Sequence, residues 1–248
     1  MRNINTDIWN IINSLDPSLL KGKGIYFGGG TLISILHNEY RVSTDIDLFC
    51  SNHEAFLNIR NHLRKNSMES LFTKTLPISA HRIYDTKITL FVQKIDHERD
   101  TKIEILYNDL LSIKGCSWKN IPIQSLTVDE LFTAKLLSNT NRFATPDNLN
   151  KDIVDLGMLL YSHKDRISFP WDSAYKKFGK EDVDKSFVSA VKILQRDDQQ
   201  LRTKDLLNIS DSDFQNIISS VNAKAVEIDI NFIPIEDQDD NPWMCVNP

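Results

Sequence analysis

The residues best suited to chemistry lie in one stretch, residues 27–49, which reads FGGGTLISILHNEYRVSTDIDLF. Asp45 and Asp47 are two apart, so on a strand both side chains project from one face while Ile46 and Leu48 take the other. Two carboxylates held side by side repel and are costly to keep ionised unless a cation sits with them. Upstream, Gly28, Gly29 and Gly30 follow the apolar Ile25, Tyr26 and Phe27 and precede Thr31 and a short apolar run. Glycines at a strand-to-helix turn let the backbone approach a ligand closely, and the free N–H groups of the helix start can hold a phosphate. A phosphate cradle followed by a carboxylate pair implies a magnesium–nucleotide site. A third acid, Glu104, stands mid-strand in TKIEILY, where Lys102, Glu104 and Leu106 share one face and Ile103 and Ile105 the other. Nothing local gives a carboxylate a structural reason to be there. Asp45, Asp47 and Glu104 on neighbouring strands can hold two magnesium ions roughly 4 Å apart, one activating an attacking hydroxyl and one clamping a triphosphate.

Each feature alone also has a plain reading. Three glycines before a helix serve as a structural turn, and aspartates flank strands as solvated ends. The glycine spacing matches neither the Walker pattern, since no Lys-Ser or Lys-Thr follows, nor GxGxxG. It is the combination with a third acid on a later strand that makes the reading specific.

The elements that must position these groups are legible from periodicity. Residues 4–20 have helical spacing and stop near Pro17. A turn at 21–24 leads into a strand at 25–27, then a helix over 31–39, a strand over 45–50 and a helix over 52–65 with Asn52 as its N-cap. Residues 81–94 and 101–107 read as two strands joined by the charged HERD run. Helical periodicity takes over after Pro122, at 128–142, 148–161, 171–178, 180–195 and 211–222. The expected fold class is therefore α+β, a mixed sheet flanked by helices over residues 1–124 followed by a helical domain over 125–248. On the helix over 128–142, Lys135, Asn139 and Arg142 form one polar face opposite Leu131, Phe132 and Leu136. That face is either solvated or functional. Asp152 and Asp155, one turn apart among apolar neighbours, either serve a site or simply cap or pair with Lys151.

At 248 residues with 41% hydrophobic and 25% charged content, the chain has the composition of an ordinary globular protein. Cys50, Cys116 and Cys245 are few and far apart, which predicts free thiols in a reducing compartment and argues against structural zinc. The N-terminus lacks the pattern of a signal peptide, and no run approaches 18 apolar residues, so a cytoplasmic protein with no membrane partner is expected. The six histidines show no ligand spacing, and no Ser/His/Asp set stands out. The net charge of −5 is a local effect: six of the 34 acids lie from Ala225 onward, where there is no Lys or Arg. The rest of the chain is close to neutral, so composition gives polyanion binding no support. The acidic tail reads as a solubilising end, as a cover for a basic groove near Lys135 and Arg142, or, from its alternation at 228–232, as a docked edge strand with Trp243 pinning the end.

Gly-Gly-Gly-Thr followed by Arg41-x-Ser43-x-Asp45-Ile46-Asp47-Leu48-Phe49 resembles the AbiEii/AbiGii toxin family of nucleotidyltransferases, within the DNA polymerase β-like superfamily. Glu130-Leu131-Phe132-x-x-Lys135-Leu136-Leu137 with Asn141-Arg142 is similar to the family's E-L-x-x-x-K-x-x-A…R helix, with Ser138 where a small residue is common. Lys151-Asp152-Ile153-x-Asp155-Leu156 is similar to its later R/K-D-x-x-D-L helix. The motifs span residues 24–160. The resemblance implies that Gly29, Gly30 and Thr31 contact the nucleotide phosphates and that Asp45 and Asp47 bind Mg2+. It further implies that Lys135 meets the triphosphate of an NTP substrate and that Asp152 supports the site. The third acid varies in the family, so Glu104 rests on strand position. The implied activity is nucleotidyl transfer to a hydroxyl with pyrophosphate release, in abortive infection or toxin–antitoxin systems, with tRNA as acceptor and a separate antitoxin as partner. The alternatives are transfer to a protein or small molecule, and a nucleotide-binding module without turnover. Intact Asp45 and Asp47 argue against the last.

Overall fold

Five strands form one mixed sheet in the computed structural model of the chain: β1 (Ile25–Gly28), β2 (Ile46–Cys50), β3 (Ile78–Ile83), β4 (Lys87–Val92) and β5 (Thr101–Tyr107). Their order is β1-β2-β5-β4-β3, with β2 and β5 parallel and the other neighbours antiparallel. The structure describes residues 6–93, 100–107, 109, 111–145, 150–164 and 168–234. The fold class is α+β, and the chain divides into two compact units, Met1–Ala134 and Lys135–Pro248.

In the first unit, alternation decides which face of the sheet is core. Ile46, Leu48, Cys50, Ile88, Leu90, Ile103 and Ile105 are all fully buried, and burial pushes the Cys50 thiol up to about 12. Helix α4 (His53–Asn66) packs on β2 and β5, burying Ala55, Phe56, Ile59 and Leu63. Its N-cap is Asn52, as expected, whose side chain accepts from the Ala55 N–H at 2.8 Å. Helix α3 (Gly29–Leu36) is apolar around most of its circumference and buried from Gly29 through Ser34. It begins inside the glycine run, two residues before the expected start.

Some expected elements differ. The helix expected over 4–20 is two helices, α1 (Thr6–Ser14) and α2 (Pro17–Leu20), because Pro17 opens the second and the Asp16 carboxylate accepts from the Ser18 N–H. The strand expected over 81–94 is the β3–β4 hairpin, turned at Tyr84–Lys87 by a Tyr84 N–H donated to the Lys87 carbonyl at 2.7 Å. A short 3-10 turn (Met68–Leu71) also stands where none was expected.

The outer edge of β1 is covered rather than open. Phe27 donates its N–H to the Gln124 carbonyl, and its own carbonyl accepts from the Leu126 N–H. This segment runs into α5 (Val128–Arg142), and Glu130 fixes the junction. Its carboxylate accepts from the Thr127 N–H at 2.8 Å, closing a capping box, and from the Lys114 and Gly115 N–H groups at 2.5 and 3.2 Å. The start of α5 therefore belongs to the sheet unit, and the division between units falls inside the helix. Glu130→Ala is expected to lower stability by about 2–4 kcal/mol, since three N–H groups lose one buried charged acceptor together. Urea denaturation measures it, and a change under about 0.5 kcal/mol would show the clamp to be incidental.

The second unit contains α6 (Lys151–Ser162), α7 (Ser168–Phe178), α8 (Lys180–Leu194), α9 (Asp197–Leu207) and α10 (Asp211–Ile228). Helix α10 lies along α6 so closely that a Cβ at Gly157 would come 2.6 Å from Ile217 Cγ2 and 3.0 Å from the Ile217 carbonyl oxygen. No helix was expected over 197–207. The edge strand that was one reading of 228–232 does not form: α10 runs through Ile228, and Phe232 is buried with Lys192 above its ring at 6.0 Å. The readings of the tail beyond residue 234, Trp243 included, lie outside the described residues. Among the described residues no helix is long and apolar enough to cross a membrane.

Candidate active site

The glycine turn meets Asp47 at the C-terminal end of β1. Gly28 is the register partner of Asp47, and the Asp47 carboxylate lies against the Gly29 backbone. A Cβ on Gly29 would stand 1.9 Å from Asp47 Oδ2, and Gly29 has φ of +72°. Both facts demand glycine at this position. The carboxylate thus sits at the first turn of α3, where the helix dipole favours negative charge. Thr31 is buried within the same turn. Its hydroxyl donates to the Asp45 carbonyl and shares a hydrogen with Ser43 Oγ at 2.8 Å, tying the approach to β2 to the helix.

The same loop is anchored at Arg41, which is 4% exposed and donates to the Val42 carbonyl at 2.8 Å. Ser34 Oγ donates to the Arg41 carbonyl at 2.6 Å. Arg41 and Ser43 therefore hold the loop that delivers Asp45. Asp45 itself stands one residue before β2, outside the strand expected to contain it.

Glu104 is the register partner of Asp47 across the parallel β2–β5 pair, so the two share a sheet face. The expectation that Glu104 has no structural reason to be there does not hold. Its carboxylate receives the Lys102 ammonium at 3.2 Å, the Lys87 ammonium at 3.3 Å and the Thr89 hydroxyl at 3.5 Å. Burial works against its charge, but the Lys102 and Lys87 ammoniums outweigh this and hold Glu104 below the usual carboxylate range. Lys102 also reaches Asp45 Oδ2 at 3.3 Å. Burial opposes its charge too, yet Asp45 and Glu104 raise it above the ordinary lysine value. Sequence reasoning missed Lys102, although Lys-x-Glu on one strand face was its visible signal.

Asp45 and Asp47 offer hard oxygen donors, and Asp47 is seated by a backbone that only glycine permits. That donor set suits magnesium, which keeps several waters and takes one or two carboxylates together with substrate phosphates. Among the described residues no group of three or more His, Cys, Asp or Glu side chains is arranged to hold a metal ion. The fit is to the aspartate pair, with both Glu104 oxygens already committed to lysines.

In the helical unit, Lys135 and Arg142 of α5 converge on the first turn of α6. The Lys135 ammonium lies 2.9 Å from Asp152 Oδ1 and 2.7 Å from Asp155 Oδ2, and Arg142 grips Asp152 through Nε at 2.6 Å and Nη2 at 3.0 Å. Asp155 is fully buried and Asp152 nearly so. Burial alone would raise the Asp152 carboxyl, but Lys135 and Arg142 hold it far below the ordinary range. Of the polar face, Lys135 and Asn139 are buried, Asn139 at 2% exposed, whereas the Arg142 side chain is half exposed. Both aspartates meet cations of α5.

No curated protein gives a significant match. Among solved structures, the chain is similar to JHP933 from Helicobacter pylori, with 15% identity and a TM-score of 0.46 over 86% of this chain and 88% of that one. It is also similar to an antigenic nucleotidyltransferase-like protein from Paracoccidioides brasiliensis, with 15% identity and a TM-score of 0.47 over 80% and 91%. No residue role follows from likeness at that level. The family described as "Nucleotidyl transferase AbiEii toxin, Type IV TA system" matches residues 17–228, from α2 to the last residue of α10. With most of its length matched, both units included, the chain belongs to the AbiEii nucleotidyltransferase toxin family.

Proposed function

We propose that this nucleotidyltransferase uses magnesium to transfer a nucleotidyl group from an NTP to an acceptor hydroxyl on tRNA. The acceptor oxygen bonds to the α-phosphorus, the bond from that phosphorus to the β-phosphate bridging oxygen breaks, and pyrophosphate leaves with the hydroxyl proton released. The observation that carries this reading is the Asp47 carboxylate lying on Gly29 at the head of α3, with Asp45 two residues before it. In this reading Asp45 and Asp47 hold Mg2+, which supplies charge neutralisation for the phosphates and acidity for the attacking hydroxyl. The N–H groups of Gly29, Gly30 and Thr31 open a helix whose N-cap, Gly28, makes no side-chain cap, and they suit a phosphate.

The resemblance supports Lys135 as the triphosphate contact, with Asp152 and Asp155 keeping its ammonium charged and fixed. It alone supports tRNA as the acceptor, and family membership supports an antitoxin partner, in the cytoplasm. Incubation with each α-labelled NTP, Mg2+ and total cellular RNA tests the reading. Label is expected in the tRNA band and to vanish with EDTA. Label in a protein or small molecule instead would move the acceptor, and no transfer from any NTP to any acceptor would end the proposal.

A further inference from the structure

Lys102 lies between two carboxylates of unequal freedom. Asp45, 3.3 Å away, has a side chain 46% exposed and precedes the strand, whereas Glu104, 3.2 Å away, is 17% exposed, mid-strand, and also held by Lys87 and Thr89. A purely structural stitch between β2 and β5 is hardly needed. The two strands are already joined along five register pairs, with Ile46 against Ile103 and Leu48 against Ile105 in the core. A partly exposed ion pair adds little to that. What the ammonium does change is the charge seen by a cation approaching Asp45.

We propose that Lys102 is a resident cation of the acidic site, occupying Asp45 in the nucleotide-free protein and yielding it only to a metal–nucleotide complex. This rests on the reading of Asp45 and Asp47 as the metal-binding pair. A bare divalent ion must displace the ammonium and then endure its repulsion at close range. A metal–nucleotide complex brings its own phosphates, whose negative charge receives the released ammonium. Glu104, fixed by Lys87 and Thr89, tethers Lys102 throughout and acts as a positioning residue. The result is a site that discriminates against free divalent ions and favours the loaded substrate.

The test is Mn2+ binding to the full chain, measured by calorimetry and by the electron paramagnetic resonance of free Mn2+, with and without a non-hydrolysable NTP analogue. Lys102→Met and Lys102→Gln are expected to tighten binding of Mn2+ alone by on the order of 10-fold and to weaken binding of the Mn2+–analogue complex. Lys87→Met, which removes an ammonium that touches Glu104 and not Asp45, is expected to change the first quantity by less than half as much on a logarithmic scale. Unchanged Mn2+ affinity in both Lys102 variants would overturn the proposal. So would an equal effect from Lys87→Met, or equal tightening of Mn2+ alone and of the complex, since either would make Lys102 mere background charge. Asp45→Asn separates the underlying reading: if it binds Mn2+ as the unaltered protein does, Asp45 is no metal ligand and both ideas fall. Loss of binding in that variant with Lys102→Met at the unaltered value would sink the resident-cation idea alone.

Discussion

Asp47→Asn is expected to abolish nucleotidyl transfer, with a fall of at least about 10³-fold in kcat, while the protein melts within a few degrees of the unaltered chain. Asparagine has the shape of aspartate, so the space against Gly29 stays filled and the turn keeps its form. What is lost is the negative charge. In the proposed function this removes a magnesium ligand and with it the stabilisation of developing charge on the transferring phosphate. The stability cost is confined to a weaker interaction with the start of α3, about 1 kcal/mol or less. Relief of repulsion from Asp45 offsets part of it. Pyrophosphate release followed alongside thermal melting separates the two effects. Turnover at the unaltered rate in a folded Asp47→Asn protein would remove the carboxylate pair from the mechanism.

Part of this arrangement was legible in the sequence because it is local: three glycines before a helix announce a backbone that something must approach. The spacing of Asp45 and Asp47 predicted a shared strand face, but Asp45 stands before β2. The sequence shows that a close approach is needed but not which neighbour makes it. That neighbour proves to be Asp47 itself, which meets Gly29 only once β1 and β2 are paired. Glu104 marks the limit more sharply. Its strand, its face and its neighbour Lys102 followed from alternation, whereas Lys87 and Thr89 reach it only through the register of β4 against β5.

The missed elements have similar causes. The turn at 84–87 contains neither glycine nor proline, so nothing in the sequence interrupts the strand pattern there. Helix α9 buries only Thr203 and Leu207 and therefore lacks an apolar stripe to betray it. On α5 the polar face was found, but its meaning required α6. Cations at i and i+7 on one helix and anions at i and i+3 on the next form a matched set only when the helices pack.

That matched set carries the other large expected effect. Lys135→Met is expected to destabilise the helical unit by roughly 3–5 kcal/mol, the scale of breaking a buried ion pair from one side. The ammonium serves two carboxylates that water hardly reaches, and Arg142 grips Asp152 as well. Methionine keeps the stem and its packing, so the loss reports the charge. The same network fixes the response to acid. The Asp152 carboxyl is depressed in the folded state, so its contribution is present in full above the unfolded value near about 4 and is lost as pH falls through the depressed folded value. In Lys135→Met that depression shrinks, and acid unfolding should move to higher pH. Lys135→Met combined with Asp155→Leu should recover part of the stability, because an apolar pair replaces an unbalanced charge. The double variant also isolates the nucleotide role proposed for Lys135. Restored stability with kcat/KM still lowered by on the order of 10²-fold would place the ammonium on the triphosphate. Full recovery of both would make Lys135 a brace between α5 and α6 and nothing more.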